Sequence, residues 1–552
     1  MKAIKQLKSR KVNKYCENLY IYETPIFFKF MAKKVTTKKT KSIEETLWDS
    51  ANKLRGTVES SEYKHVVLGL IFLKFASDKF QVRRQEIIDD GKAKFVDMVE
   101  FYTQKNVFYL TEESRWSYII ANAKQDDIAL KIDTALYTVE KNNPSLKGAL
   151  PDNYFSRLNM DVSKLAALLD TINNIDTLKD QQQDIVGRVY EYFLSKFAIA
   201  EGKGKGEFYT PKSIVNLIAE LIEPYKGKIY DPACGSGGMF VQSIKFIDSH
   251  NGNKKDVSIY GQEYTATTYK LAKMNLAIRG IAANLGDVPA DTFGKGQHPD
   301  LKADYIMANP PFNQKDWRAT DELLDDPRWR GYDVPQTGNA NYGWILNMVS
   351  KLSDNGVAGF VLSNGALSGG STENLIRKKL IENKLVEAII ILPGSMFYTT
   401  DISVSIWIIN NNKRERQVKL NNVEKNYRNR EDEILFMDLR QTGIPFEKKF
   451  IQFSDDNIKE ITEAYHNWQQ AETDYKDIPE FCYAAALQEV RKKDYSLVPS
   501  KYIEFVNRDE NINFEEKMSS LQTEFTDLLK EEAKSKTELL NVFKDLGYEI
   551  KL

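Results

Sequence analysis

Two short segments of this chain carry residue types whose spacing could do chemistry. The first is Ile229-Tyr230-Asp231-Pro232-Ala233-Cys234-Gly235-Ser236-Gly237-Gly238-Met239, a glycine-rich turn between a strand-like and a helix-like run. Gly235, Gly237 and Gly238 let the backbone approach a ligand closely, and the N-terminus of the following helix favours a negative group such as a carboxylate. The spacing is not the G-x-G-x-x-G dinucleotide fingerprint. The second is Ala303-Asp304-Tyr305-Ile306-Met307-Ala308, an apolar strand that stops abruptly at Asn309-Pro310-Pro311-Phe312. Proline lacks an N–H and drives the residue before it into an extended conformation. The Asn309 side-chain oxygen and the Pro310 carbonyl can therefore form a rigid pair of acceptors.

An amino group with two N–H donors matches that pair. The lone pair of an arylamine is delocalised into its ring, so it is a poor nucleophile. Accepting both N–H bonds favours a tetrahedral nitrogen with its lone pair aimed at an electrophilic methyl group, which stabilises the transition state more than the ground state. Phe312 would face a base extruded from its stack, because the target atom is out of reach inside a duplex. The plain alternative is a proline-terminated strand with a buried Phe. The glycine turn, earlier in the chain and on a matching strand end, weighs against it. Glu263 follows the next strand, where an acidic residue can accept from ribose hydroxyls; a solvated loop carboxylate is the bland reading. Transfer to an exocyclic nitrogen needs no protein nucleophile, so Cys234 reads as a small turn residue.

The elements that must hold these turns alternate. Strand-like segments at 228–230, 257–261, 305–308, 357–362, 386–392 and 403–409 are interleaved with helix-like segments at 239–247, 267–278 and 373–381. That predicts an α/β fold over residues 201–412, a mostly parallel, doubly wound sheet with helices on both faces. The EGKGKG run at 201–206 suits a flexible joint. Ahead of it, residues 42–200 read as a helical domain. Ser42 and Glu45 have capping-box spacing, and helical patterns cover 63–80, 162–172 and 183–198. Residues 1–41 read as a disordered extension within which Met31 is an alternative start. After the sheet comes a mixed region, 413–510, with one strand candidate at 434–437. Residues 511–552 then form a helix whose Met518, Leu521, Phe525, Leu528, Leu539, Val542 and Leu546 make a seam. That seam suits either a helix folded back on its own domain or a partner-binding helix.

At 552 residues the chain suits two to four folded units, and its 42% hydrophobic and 28% charged residues describe a globular protein. Lys plus Arg (77) nearly balance Asp plus Glu (78), so there is no overall positive field, and contact with nucleic acid must be local or shared with a partner. Cys16, Cys234 and Cys482 are far apart, and His65, His250, His298 and His466 are scattered, so neither a disulfide framework nor a metal site is expected. A reducing cytoplasm fits, and no apolar run approaches the roughly 20 residues of a membrane span. The chain carries no G-x-x-x-x-G-K-[ST] segment for ATP chemistry. Residues 313–342 mix Trp317, Arg318, Arg328, Trp329, Arg330 and Tyr332 just after the tetrapeptide, as either a DNA-contacting segment or an ordinarily packed loop.

DPACGSGG (231–238) followed by NPPF (309–312) resembles the cofactor and catalytic motifs of DNA amino-methyltransferases. More closely, the chain resembles the modification subunit of type I restriction-modification systems from about residue 42 to its end. The resemblance extends through TLWDSANKLRGTVESSEYKHVVLGLIFLKF (46–75), GEFYTPKSIVNLIAELI (206–222), LPGSMFYTTDISVSIWII (392–409) and LVPSKYI (497–503). It implies a Rossmann-like, S-adenosylmethionine-dependent domain that methylates adenine N6. Glu207, Phe208, Tyr209, Thr210 and Pro211 would wrap the cofactor's methionine end. Asp231, Cys234, Gly235, Ser236, Gly237 and Gly238 would cradle it, with Glu263 on the ribose and Asp287 near the adenine. Asn309, Pro310, Pro311 and Phe312 would bind and activate the target base. The resemblance also implies a separate specificity subunit, two copies of this chain on each, a restriction subunit, and double-stranded DNA with a flipped adenine. By itself the tetrapeptide does not separate adenine N6 from cytosine N4, so a stand-alone amino-methyltransferase is an alternative. A non-catalytic scaffold that binds cofactor is another.

Overall fold

The computed structural model describes residues 45, 47–49, 60–175, 191–194, 196, 210–397, 400–421, 423–446, 449–505 and 514–545. The extension at 1–41, the Ser42 cap, the joint at 201–206, and Glu207, Phe208 and Tyr209 lie outside the described residues, as does most of the helix expected at 183–198.

The first part of the chain is helical. Its long helix α1 (Ser60–Asp89) runs further than the expected 63–80, because polar Arg83, Arg84 and Gln85 extend it by more than two turns. Arg83 fastens that extension by donating to the Phe101 carbonyl at 3.0 Å. Val66, Leu70, Phe72, Leu73 and Phe80 of α1 are buried in one core with residues of α2 (Ile128–Asn142) and α3 (Val162–Asn173). Asp161 caps α3 by accepting from the Lys164 N–H. The same core takes in Leu271, Met274 and Ile278 of a helix belonging to the second part.

The second part is a nine-stranded sheet. A helix, α4 (Lys212–Ile222), leads into β1 (Gly227–Asp231), α5 (Gly238–Ser249), β2 (Val257–Gly261), α6 (Ala266–Ile278) and β3 (Ala283–Asn284). Then come β4 (Ala303–Ala308), α7 (Asn341–Lys351), β5 (Leu352–Ser363), α8 (Ser371–Glu382), β6 (Val386–Ile391) and β7 (Val404–Asn410). A separate hairpin, β8 (Arg416–Leu420) and β9 (Val423–Tyr427), precedes β10 (Glu433–Asp438). A small ribbon of β11 (Ile444–Phe446) and β12 (Phe450–Gln452), then α9 (Asp455–Gln469), lead to β13 (Cys482–Ala486). The strand order is β13-β10-β6-β7-β5-β4-β1-β2-β3.

Two features depart from the sequence reading. First, β7 lies between β5 and β6 and is antiparallel to both. The described residues of the twelve-residue connection from β6 to β7 hold no helix, and a parallel return usually crosses over through one. Second, the sheet does not end near residue 412. β10 pairs parallel with β6, and β13 closes the edge antiparallel to β10. The polar β8–β9 hairpin breaks the hydrophobic alternation and hides this continuation from the sequence pattern. The C-terminal helix α10 (Phe514–Asp545) is not folded back on its domain: Met518, Leu521, Phe525, Leu528 and Leu529 stand exposed. No helix among the described residues is long and apolar enough to cross a membrane.

The added strands are tied in by a buried charge. Glu387, on β6, is fully buried and accepts from Arg430 Nε at 3.0 Å, Gln469 Nε2 at 3.1 Å and the Asn410 amide. Arg430 lies between the rings of Tyr427 and Trp468. Lys413 donates to the carbonyls of Val386 and Glu433. These partners hold the Glu387 carboxyl below its ordinary range against the opposing effect of burial. Glu387→Leu leaves the Arg430 guanidinium buried without its counter-charge, a loss of about 3–5 kcal/mol. Urea denaturation should show the midpoint falling accordingly; an unchanged midpoint would contradict this account of the edge.

Candidate active site

The two motifs meet because of strand order. β1 has β2 on one side and β4 on the other, all parallel, so the chain reverses its direction of winding at β1. In such sheets the crevice opens at the carboxyl ends of the strands flanking that reversal. Tyr230 sits opposite Ile306, which brings Asp231, at the end of β1, and Asn309, just past β4, to the same edge.

The glycine turn leaves β1 under tight control. Asp231 is 1% exposed, and its carboxylate accepts from the Ala233 N–H at 2.9 Å. Gly235 and Gly237 have φ of +53° and +80°, the left-handed region that glycine adopts without strain. A Cβ on Gly237 would meet Leu276 at ordinary contact distance, 3.4 Å, so the positive φ is what favours glycine there. The Ser236 carbonyl is held by Asn275 Nδ2 at 2.7 Å, and the Gly238 end opens α5. The Cys234 N–H donates to the Gln262 carbonyl, and burial pushes its thiol well above the ordinary range. Glu263 crosses to this turn, accepting from Gly235 N–H at 3.1 Å and Thr265 N–H at 2.8 Å. Asp287 follows β3, exposed, beside Tyr269. The Tyr269 phenol donates to the Gly286 carbonyl at 2.7 Å, and burial raises it, with the neighbouring Asp287 adding to the rise.

Asn309 is 8% exposed. Its Nδ2 donates to the hydroxyl of Thr210 at 3.0 Å, and its Oδ1, also buried, accepts nothing. Pro310 is buried and Pro311 half-buried. Phe312 is half-buried, edge-on to Phe397 at 6.1 Å between centroids. Immediately beyond, Asn313 adopts φ +51° and is clamped by fully buried Asn341. Asn341 Oδ1 accepts from the Asn313 N–H at 3.0 Å, its Nδ2 donates to Asn313 Oδ1 at 2.9 Å, and Ser363 donates to the same oxygen.

The structure thus gathers Thr210, Pro211, Asp231, Cys234 to Gly238, Glu263, Asp287 and Asn309 to Phe312 along one sheet edge. Several residues here escape the sequence reading. The sequence points Thr210 only toward a cofactor, whereas its described partner is Asn309. Ser213, in the first turn of α4, has a buried hydroxyl without a hydrogen-bond partner. Gln262 braces the loop after β3 through the Ala290 and Lys295 carbonyls and the Gln297 N–H. Only the TPKS run around Ser213 carries any local signal. The 313–342 segment packs: Trp317 and Trp329 are buried, Arg318 donates to the Pro335 carbonyl, and Arg328 to those of Thr292 and Phe293. Arg330 alone of the aromatics and arginines named in that segment is exposed.

Comparison with known proteins matches this architecture. The family described as N-6 DNA Methylase matches residues 181–511, and the HsdM N-terminal domain matches residues 43–175. The HindI type I restriction enzyme methylase subunit of Haemophilus influenzae is 41% identical over 435 residues, 77% of this chain and 94% of that one. The chain belongs to the type I restriction-enzyme methylase subunits. The MjaIX methylase subunit of Methanocaldococcus jannaschii is 35% identical across 92% of both chains. Among solved structures, a type I methyltransferase subunit from Streptococcus thermophilus shares the fold at a TM-score of 0.68 and 22% identity, covering 84% of this chain and 99% of that one. By family, then, this methylase subunit is an adenine-specific DNA methyltransferase.

One charge in the methylase's crevice gives a direct test. Burial pushes the Asp231 carboxyl up to about 8, the Ala233 N–H acting against the rise and Glu263 with it. The folded protein then retains a proton there that the unfolded chain, titrating at about 3.9, has lost. Its contribution to stability is fully present below the unfolded value and disappears as pH rises through about 8. Asp231→Asn keeps the shape and cannot ionise. In the ligand-free protein, its melting temperature should exceed the wild type's by a margin that grows from about pH 5 to about pH 8; parallel curves would contradict it.

Proposed function

We propose that this subunit methylates N6 of an adenine flipped out of double-stranded DNA, with S-adenosyl-L-methionine as methyl donor and sequence recognition supplied by a separate specificity subunit. The observation that carries this reading is the buried, unpartnered Oδ1 of Asn309, an acceptor without a donor at the crevice mouth. Buried acceptors are almost always satisfied, so one left open at a strand end calls for a ligand N–H. Asn309 Oδ1 and the Pro310 carbonyl accept the two N6 hydrogens, orienting the nitrogen lone pair outward from the base plane. Phe312 offers its ring to the extruded base, and Pro311 stiffens the segment between them.

The crevice suits the donor on its own chemistry. Left-handed glycines allow close approach, a buried carboxyl at Asp231 suits an ammonium group, Glu263 suits ribose hydroxyls, and the unpartnered Ser213 hydroxyl lies at a helix N-terminus that favours a carboxylate. Thr210, Pro211, Cys234, Gly235, Ser236, Gly237, Gly238 and Asp287, with Glu207, Phe208 and Tyr209, complete the proposed cradle. When bound, S-adenosylmethionine supplies an electrophilic methyl group. Asn309→Ala should lower the single-turnover rate by about 10²–10³-fold, by analogy with loss of one preorganised polar partner. The methylated nucleosides, identified by mass spectrometry, should be N6-methyladenine. Unreduced turnover, or N4-methylcytosine, would overturn the assignment.

The exposed apolar stripe of α10 favours docking to the specificity subunit, on which two copies of this chain would sit, with a restriction subunit completing the assembly. Phe525→Asp with Leu528→Lys should abolish co-purification with the specificity subunit and leave the melting temperature within about 2 °C, since surface changes alter stability little. Retained assembly would remove α10 from the interface.

A further inference from the structure

We propose that Thr210 is a positioning residue that fixes which end of the Asn309 amide faces the target base. The inference rests on Asn309 being the acceptor for that base's amino group. An asparagine side chain is nearly symmetric in shape, and a half-turn exchanges its oxygen for an NH₂. Facing an amino group, the oxygen accepts while the NH₂ opposes donor to donor, so the orientation decides whether the base can be held. Among the described residues, the one side chain that distinguishes the two ends is Thr210, whose Oγ1 accepts from Nδ2 at 3.0 Å while Oδ1 stays open.

A hydroxyl, however, can also donate, and a flipped amide could accept its proton. Thr210 enforces one orientation only when that proton is committed elsewhere, and among the described residues nothing accepts it. Thr210 also stands one turn before Ser213, whose hydroxyl is buried and equally unpartnered, at the start of α4. A carboxylate bound there accepts and cannot donate. It takes the Thr210 proton, leaves Oγ1 as an acceptor toward Nδ2, and so sets Oδ1 toward the base. The amino-acid carboxylate of the methyl donor has this chemistry, which couples donor binding to base acceptance through one side chain.

The test uses the complex with its specificity subunit and a duplex that keeps the target adenine and carries 2-aminopurine beside it, whose fluorescence reports the unstacking that extrusion causes. S-adenosylhomocysteine should strengthen target binding several-fold in the wild type and in Thr210→Ser, and leave it unchanged in Thr210→Val. Decarboxylated S-adenosylmethionine should give the wild type no such gain. At saturating donor, Thr210→Val should methylate about tenfold more slowly than wild type, with Thr210→Ser restored. Wild-type coupling and rate in Thr210→Val would overturn the proposal. So would a variant that loses donor affinity alone and methylates at the wild-type rate when saturated, which makes Thr210 a plain donor contact. Full activity in Asn309→Ala would instead overturn the reading of the tetrapeptide.

Discussion

The Asn309 amide is buried at the end of a central strand with its nitrogen paired and its oxygen not. Leaving such an acceptor dry and unmade costs about 1–3 kcal/mol, so the surrounding structure must over-determine it. Three constraints do so. β4 delivers the residue from the middle of the sheet, Pro310 and Pro311 stiffen the backbone directly after it, and the Asn341 clamp fixes Asn313 just beyond. Because all three are rigid, the open acceptor faces a ligand already organised, with no reorganisation left for the moment of reaction.

The glycine turn reaches the same edge only because β1 and β4 are neighbours. Their adjacency is a property of the doubly wound sheet. Strands far apart in sequence pair where the winding reverses, and the segments at their carboxyl ends become the walls of one crevice. The raised Asp231 carboxyl fits that picture. A carboxyl is kept desolvated and protonated beside Glu263, at an expense in stability that grows with pH, where a cationic group of a ligand would favour its ionised form. At the opposite margin, the Glu387 and Arg430 pair anchors the strands beyond β7, so the edge that extends the sheet has its own polar fastening.

What the sequence disclosed depends on the range of the interactions involved. Hydrophobic period and turn chemistry are local, and they placed β2, α3 and the two chemical turns almost to the residue. Strand direction and sheet extent are not local. The antiparallel insertion of β7 and the return of β10 and β13 depend on connection lengths and on partners that a polar hairpin conceals. The site divides the same way. Asn309 and the glycines announce themselves by composition, whereas the hydrogen bond from Asn309 to Thr210, and the Asn341 clamp on Asn313 and Ser363, join residues remote in sequence and ordinary in type. A threonine or asparagine alone carries no sign of which distant amide it will hold.

The account stands on where the Asn309 oxygen points when a base is present. The most direct measurement is a high-resolution structure of the assembled enzyme on its DNA target with a methyl-donor analogue. It should show the extruded adenine N6 within about 3 Å of both Asn309 Oδ1 and the Pro310 carbonyl, with Nδ2 still on Thr210. An adenine N6 that bonds elsewhere, with the Asn309 oxygen turned away from the base, would contradict it.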